Sequence, residues 1–406
     1  MPKIVVLYHY YRPDDVVSAQ HIADLCEELV KRGWEVETWP ANRSCHHVED
    51  VYGLGEEVIG GVRVKRVWRP KLERESFLRR IAVSLWMEAV WAWRAAFPKG
   101  GRPDIYLTGT DPFFAVFLSP WLKRVGRART AHWCFDMYPE YPIADGVISG
   151  SNPLVGILRW MLRGAYGACD LVADLGPCMA DRLRGYGVRD PVTLTPWALE
   201  EPEKPLPLAA AERQAVFGKD CKLGLLYSGN MGRAHAYRLT LELARKMGQE
   251  AVFAYSARGR RLDELKSSIT PRDTNIRFVP FAPQEKLSDR LACADIHLAA
   301  LGEAWKGIAV PSKFFGSLAV GRPVLFEGEA DSALARWIRE HQVGWVLTPL
   351  NLEETAQQLS LFAFNEGARE RMFQRCHEVY RKYFSKKSVV DRFNDELRRA
   401  IAKGQA

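Results

Sequence analysis

The 406-residue sequence has no two cysteines at metal-knuckle spacing; its eight cysteines, at 26, 45, 134, 169, 178, 221, 293 and 376, are scattered singly. That spread excludes a zinc knuckle and a dense disulfide framework, and reduced thiols in a cytoplasmic protein are the simplest account. Long apolar runs are also missing. The longest, Ile81 to Phe97, is interrupted by Glu88 and Arg94 and falls short of the roughly 20 residues that a bilayer crossing needs. The opening Met1-Pro2-Lys3-Ile4-Val5-Val6-Leu7 is too short an apolar run for a secretion signal and leads into Arg12-Pro13-Asp14-Asp15. No short-period repeat and no low-complexity segment occurs. His46-His47 beside Glu49-Asp50 lacks a third ligand, and adjacent histidines on a loop point apart, so no metal site is predicted.

What is present is ordinary for a soluble globular chain: 47% hydrophobic and 26% charged residues, with a length that predicts two domains. Lys and Arg number 57 against 49 Asp and Glu, a net charge of +8 that favours an anionic partner without naming one. Nucleic acid is disfavoured, because the basic residues concentrate in one short segment.

Short β-branched runs alternate with helical patterns, the mark of parallel βαβ units. Residues 3–8 predict a buried first strand, Ala19 to Arg32 a helix closed by Gly33, and Trp34 to Trp39 a second strand. Strands follow at Asp104–Thr108, Ala131–Phe135 and Asp170–Ala173. A Pro- and Glu-rich stretch, Glu200 to Pro207, separates a second series of six: Leu223–Tyr227, Ala251–Tyr255, Ile276–Val279, Ile296–Ala299, Pro323–Phe326 and Gly344–Leu347. The prediction is an α/β protein of two doubly wound, Rossmann-like domains, at 1–198 and 216–375. Residues 199–215 form a linker, and 376–406 a helical segment that stays with the second domain or crosses to the first.

Ligands of such sheets bind beyond the carboxyl ends of the strands, so the loops there hold the chemistry. Leu225 to His235 (LLYSGNMGRAH) is a strand entering a turn with two glycines, one arginine and one histidine, before a helix from about Tyr237. Close backbone approach, free N–H groups and Arg233 suit a phosphate; the same spacing also fits a plain strand–turn–helix with a solvated arginine. In Val310 to Leu325, Pro311 starts a helix with Ser312 and Lys313 in its first turn, and Gly321-Arg322-Pro323 closes it. A lysine at a helix N-terminus opposes the dipole unless an anion also sits there. Thr130 to Glu140 (TAHWCFDMYPE) ends a strand at Asp136, either a site carboxylate or a loop aspartate that caps a helix.

These segments and the two-domain plan resemble the GT-B nucleotide-sugar glycosyltransferases. The likeness is to family 4 retaining enzymes of bacterial cell-surface polysaccharide assembly, of the O-antigen or capsule type that modifies polyprenyl-linked sugars. Tyr227 to His235 matches a Tyr-Ser-Gly-Asn-x-Gly-x-x-His loop, and Pro311 to Pro323 a Pro-Ser-Lys-Phe-(Tyr/Phe)-Gly segment ending in Gly-(Arg/Lys)-Pro. Tyr10 to Asp14 is similar to that group's Tyr-Tyr-x-Pro loop, and Lys31 to Val36 to its Arg-Gly-His-x-Val turn. Asp136 to Glu140 is similar to a strand end with an acidic or histidine residue beside the donor sugar, followed by Tyr-Pro-Glu.

The resemblance implies a GT-B fold with two domains facing a central cleft. Gly229, Asn230, Gly232, Arg233, His235, Ser312, Lys313 and Gly316 would hold the donor, and Asp136 would stand by the reacting carbon. Arg12, Asp14, Tyr138 and Glu140 would lie on the acceptor side. It further implies retention by front-face attack, the leaving diphosphate taking the acceptor proton, with no metal or other cofactor. The sequence departs from the wider family at Ile308 and Gly316, where many members carry two glutamates, the second binding ribose; Glu303 and Glu327 are the nearest carboxylates, and neither aligns with that pair. Asn230 stands where others have a phosphate-binding arginine, which leaves Arg233 and Lys313 as charge partners of a diphosphate.

Residues 61–80 contain eight cations (Arg63, Lys65, Arg66, Arg69, Lys71, Arg74, Arg79, Arg80) against Glu73 and Glu75, with Trp68 and Phe77 among them and Trp86, Trp91 and Trp93 following. Either this is a patch for an anionic bilayer, at about 1 kcal/mol per cation, or it is a basic loop before a core helix. The expected activity is transfer of a hexosyl or N-acetylhexosaminyl group from a nucleoside diphosphate sugar, UDP-linked, to a hydroxyl of a lipid-linked saccharide. The enzyme would work at the cytoplasmic membrane surface, peripheral to its inner face. A GT-B nucleotide-sugar epimerase or hydrolase, and a non-catalytic nucleotide-sugar-binding scaffold, are the alternatives.

Overall fold

The structure, a computed structural model, describes residues 1–14, 16–45, 47, 49–72 and 77–403. Contacts divide the chain into two units, Met1–Thr195 with Val389–Ala406, and Pro196–Ser388. The stretch expected as a linker at 199–215 is tied into the second unit. Glu201 accepts hydrogen bonds from the Tyr380 hydroxyl and the Lys386 N–H, and Leu206 N–H donates to the Val320 carbonyl at 3.2 Å.

The first unit is built on eight strands: β1 (Lys3–Leu7), β2 (Glu35–Thr38), β3 (Glu56–Ile59), β4 (Val62–Lys65), β5 (Ile105–Gly109), β6 (Arg129–Trp133), β7 (Leu171–Asp174) and β8 (Val192–Thr193). Their order is β3-β4-β2-β1-β5-β6-β7-β8, all parallel except the β3–β4 hairpin. All five residues of β1 are buried, as a parallel strand covered on both faces requires. Order reverses between β1 and β5, where Ile4 faces Ile105 and Leu7 faces Thr108, so the crevice for a ligand opens beyond these two strands.

Helix Phe77–Ala96 turns Val83, Met87, Trp91 and Ala95 inward at four-residue spacing, and Trp91 Nε1 donates to the Trp39 carbonyl at 2.8 Å. Trp86 and Trp93 stay exposed on its other side. The last helix, Lys386–Ala402, buries Val389, Val390, Phe393 and Leu397. Asp391 pairs with Arg32 at 2.7 Å and Asn394 accepts from Trp34 Nε1 at 2.8 Å, so Val389 onward completes the first unit.

The second unit has six strands, β9 (Gly224–Asn230), β10 (Val252–Arg258), β11 (Ile276–Phe278), β12 (Ile296–Ala300), β13 (Val324–Glu327) and β14 (Gly344–Leu347), all parallel in the order β11-β10-β9-β12-β13-β14. Leu225, Tyr227, Phe253, Leu298 and Leu325 supply the centre of its core. Here the order reverses between β9 and β12, and the loops that follow those two strands flank the switch point.

Candidate functional site

At the switch point of the second unit, β9 ends in Ser228-Gly229-Asn230 and helix Arg238–Met247 starts after a seven-residue loop. Gly302 N–H, from the loop after β12, donates to the Ala234 carbonyl at 2.7 Å, and His235 Nδ1–H donates to the Ala300 carbonyl at 2.9 Å. The two loops are thereby locked together. Burial, helped by the charge of Lys313, pulls His235 down to about 4, so its ring is neutral at pH 7.

Lys313 enters the same place from 83 residues away. It opens helix Lys313–Ala319, and its Nζ donates to the Asn230 carbonyl at 2.9 Å and lies 5.0 Å from the centre of the Tyr227 ring. Burial lowers its ammonium to about 8. No carboxylate pairs with it among the described residues, so it carries a charge that an incoming anion would stabilise. Gly229 has φ +116°, and a Cβ there would come 3.1 Å from Lys313 Cε. Glycine is therefore demanded twice, by backbone conformation and by the lysine. Asn230 sets its side-chain oxygen against Gly259, where a Cβ would come within 2.9 Å of it. Arg233 and Ser312 are exposed, and Gly232 and Gly316 are partly exposed.

A Cβ on Gly316 would meet nothing within 4 Å, so space is open at the position where the resemblance implies a ribose glutamate in many members, while Ile308 is buried. Glu327 does not fill the gap. It accepts hydrogen bonds from Leu239 N–H at 3.1 Å, Thr240 N–H at 3.0 Å and Thr240 Oγ1–H at 2.6 Å, holding the start of helix Arg238–Met247. Glu303 is exposed in the turn after β12.

In the first unit Asp136 follows β6, with the neighbouring Phe135 N–H held by Thr110 Oγ1 at 2.8 Å. Burial and, secondarily, the charge of Asp111 together raise its carboxyl to about 6. Tyr138 stands beside it, its ring 4.8 Å from Phe113 and stacked at 5.8 Å on Tyr141. The other three residues expected on the acceptor side are committed elsewhere. Glu140 is buried and binds the Tyr186 hydroxyl at 2.5 Å and Arg159 at 3.1 Å. Arg12 pairs with Asp24 and Glu27, both at 2.7 Å. Asp14 is buried, accepting from Ser44 Oγ at 3.0 Å and Cys45 N–H at 2.9 Å. Arg12 and Glu140 are thus ion-paired within the fold and Asp14 is hydrogen-bonded within it.

The sequence reading missed His9 and Asp111, which follow β1 and β5 at the switch point. His9 Nδ1 lies 3.0 Å from Asp111 Oδ1, and His9 N–H donates to the Asp111 carbonyl at 3.0 Å. Their position just past two central strands was the available signal.

The basic stretch is corrected as well. Val62–Lys65 is strand β4, paired with β3 through Gly60 and Gly61 at positive φ, a two-residue hairpin turn. Arg63 and Lys65 face Glu56 and Glu37 on the sheet. Arg66 and Arg69 are 3% and 1% exposed, too buried to touch a bilayer. Trp68 is exposed and packs edge-on against Trp86 at 5.3 Å; Arg79 is exposed, and Arg80 lies 4.5 Å over the Phe113 ring. Arg74, Glu73, Glu75 and His46 lie outside the described residues. A second exposed apolar stripe, unread in the sequence, runs along helix Pro153–Ala168: Leu154, Ile157, Trp160 and Met161.

Two doubly wound units with candidate residues at both switch points define the class. The chain superposes on sucrose-phosphate synthase from Thermosynechococcus elongatus with a TM-score of 0.71 over 99% of this chain and 100% of the other, at 12% identity. Anabaena HepE in complex with UDP gives 0.65 over 97% and 99%, at 11% identity. The fold is that of the GT-B glycosyltransferases. Residues 18–197, most of the first unit, match the family described as "Glycosyl transferase 4-like domain". The chain is also 26% identical over 253 residues to the probable glycosyltransferase WbjE of Pseudomonas aeruginosa; the match spans 61% of this chain and 63% of that protein, under two thirds of its length.

Proposed function

We propose that the protein is a retaining glycosyltransferase that moves a hexosyl or N-acetylhexosaminyl group from a UDP-linked sugar to a hydroxyl of a lipid-linked saccharide in bacterial surface polysaccharide synthesis. The observation that carries the donor half is Lys313 at the Gly229–Asn230 turn, a partly desolvated cation without a carboxylate partner at a switch point. A diphosphate supplies the missing charge, with Arg233 beside it. HepE, of the same fold, binds UDP and supports the donor class, and WbjE, a probable glycosyltransferase similar in sequence, supports the transferase reading.

In this reading Asp136 serves the reacting sugar, binding its hydroxyls or supporting charge as the glycosidic bond loosens. The acceptor hydroxyl attacks from the face the diphosphate leaves, and its proton passes to the departing phosphate oxygen. No step calls on a metal or other cofactor. A thermal-shift screen of UDP-, GDP-, TDP- and ADP-sugars tests the donor assignment: UDP-sugars are expected to raise the melting temperature and the others not. No shift with any of them would remove the reading. The open space at Gly316 favours one rival, a non-catalytic nucleotide-sugar-binding protein, which would show the same shift without turnover.

The acceptor half rests on an apolar surface rather than on the basic stretch. Helix Ser119–Arg124 touches both Phe77–Ala96 and Pro153–Ala168, and Trp121 Nε1 donates to the Ala92 carbonyl at 3.0 Å. The exposed Trp86, Trp93, Trp121, Ile157 and Trp160 thus belong to three adjoining helices, and Arg163 is exposed beside the last of them. Interfacial aromatics with cations suit an anionic bilayer on the cytoplasmic side. No helix of the described residues is long and apolar enough to cross one. Vesicles containing phosphatidylglycerol should bind the wild-type chain and bind Ile157→Glu/Trp160→Glu at least tenfold more weakly, at about 1.5–3 kcal/mol per apolar side chain withdrawn from the interface. Equal sedimentation of both proteins would exclude this surface.

A further inference from the structure

His235 occupies a fixed place in the loop after β9. Its backbone N–H donates to the Gly232 carbonyl at 3.1 Å, and the Gly302–Ala234 bond ties that loop to the one after β12. The His235 ring stands edge-on to Tyr227, centroids 5.9 Å apart at 84°, and the Lys313 ammonium lies 5.0 Å from the centre of the same tyrosine ring. Histidine and lysine thus share one aromatic neighbour. The two ring nitrogens of His235 are not equivalent. The Ala300 carbonyl can only accept, so the 2.9 Å contact makes Nδ1 the protonated nitrogen. A second proton, on Nε2, is opposed by burial and by the charge of Lys313. Nε2 therefore keeps its lone pair, and among the described residues no donor meets it. The residue is partly exposed, and Nε2 is not sealed from solvent.

We propose that His235 reads a hydroxyl group of the nucleotide sugar through Nε2, as a neutral acceptor set beside the cation that meets the diphosphate. The assignment rests on the donor reading above and divides the labour within that site. Lys313 offers N–H donors, which suit phosphate oxygens; the imidazole lone pair repels those oxygens and suits an O–H. A nucleoside diphosphate sugar carries hydroxyls on either side of its diphosphate, on the ribose and on the transferred sugar, and Nε2 takes one of them. Glu327 cannot serve in its place, because its carboxylate is committed to Leu239 and Thr240 at the start of helix Arg238–Met247. In the sequence His235 stands with Arg233 in a turn suited to a phosphate. The Ala300 carbonyl, 65 residues away, assigns it to hydroxyls instead.

The test is calorimetry on the full chain with two variants. In His235→Asn the side-chain amide keeps an N–H for the Ala300 carbonyl and leaves nothing at the Nε2 position, whereas His235→Gln sets an amide oxygen there. The ligands are UDP, 2′-deoxy-UDP, 3′-deoxy-UDP, UDP-glucose and UDP-N-acetylglucosamine. His235→Asn should weaken a ligand that carries the hydroxyl about 2–10-fold, the worth of one neutral hydrogen bond, and His235→Gln should regain part of that loss. If the hydroxyl is on the ribose, wild type prefers UDP to one of the deoxy nucleotides, and His235→Asn binds those two alike. If it is on the transferred sugar, His235→Asn weakens a UDP-sugar and leaves UDP unchanged. Either pattern supports the assignment and names the hydroxyl. Unchanged affinity of His235→Asn for every ligand overturns it and leaves the donor reading standing. An equal loss for all five ligands, deoxy forms included, also overturns it, since that reports a displaced loop rather than a lost acceptor. No binding of any ligand by wild type overturns the donor reading and this assignment together.

Discussion

Asp136→Asn is expected to lower sugar transfer by about 10²–10³-fold while making the folded chain more stable at pH 7.5. The size of the activity loss is that of removing one electrostatic contact to a transition state in a water-poor site. The stability gain follows from the same burial. The carboxyl titrates near 6 in the folded chain, against 3.8 for an exposed aspartate. Between those values the folded state binds a proton that the unfolded state does not, so stability falls as pH rises from about 4 to 6 and stays lower above 6. Asparagine escapes that cost, of roughly 1–3 kcal/mol. The melting temperature of the variant should therefore exceed that of wild type at pH 7.5, with the gap shrinking toward pH 4. In wild type, transfer should decline as pH drops below about 6, where Asp136 takes up its proton. A variant with normal turnover would remove Asp136 from the chemistry, and a gap that does not change with pH would contradict its buried, raised state.

Lys313→Ala should weaken nucleoside diphosphate binding about 10–150-fold, the worth of one hydrogen bond to a charged group at about 1.5–3 kcal/mol. Burial alone lowers this lysine to about 8. An arriving diphosphate favours the ammonium form, so binding at pH 8–9 should draw a proton from the buffer. The measured enthalpy would then depend on the buffer's ionisation heat, and affinity would decline above about pH 8. The alanine variant should show neither effect. Unchanged affinity by calorimetry, or buffer dependence that persists in the variant, would place the diphosphate elsewhere.

The central strands of the second sheet were legible because parallel strands buried on both faces are continuous apolar runs, and with the less buried edge strands β11 and β14 all six appear within a few residues of their expected places. The β3–β4 hairpin was not, because its exposed Glu56-Glu57 and the alternating cations of β4 look like a solvated loop until the edge of a sheet pairs them. Motif spacing pointed to Lys313 and to Gly229–Asn230 separately; only the fold sets the Nζ of one on the carbonyl of the other. Charge type misled where the partner is tertiary. Glu140 with Tyr186 and Asp14 with Ser44 look like surface or site residues in sequence, yet each satisfies a buried neighbour, and Arg66 is itself buried and paired with the exposed Glu57. The His9–Asp111 pair joins residues 102 apart, and no local pattern connects them.

The most direct measurement is release of nucleoside diphosphate from a UDP-sugar, with and without membranes carrying lipid-linked saccharide. Release that requires both the membranes and the intact Asp136 is the result expected of a transferase. Equal release without any acceptor would identify a hydrolase, and binding of the UDP-sugar with no release under either condition would identify a scaffold; either result contradicts the proposed activity.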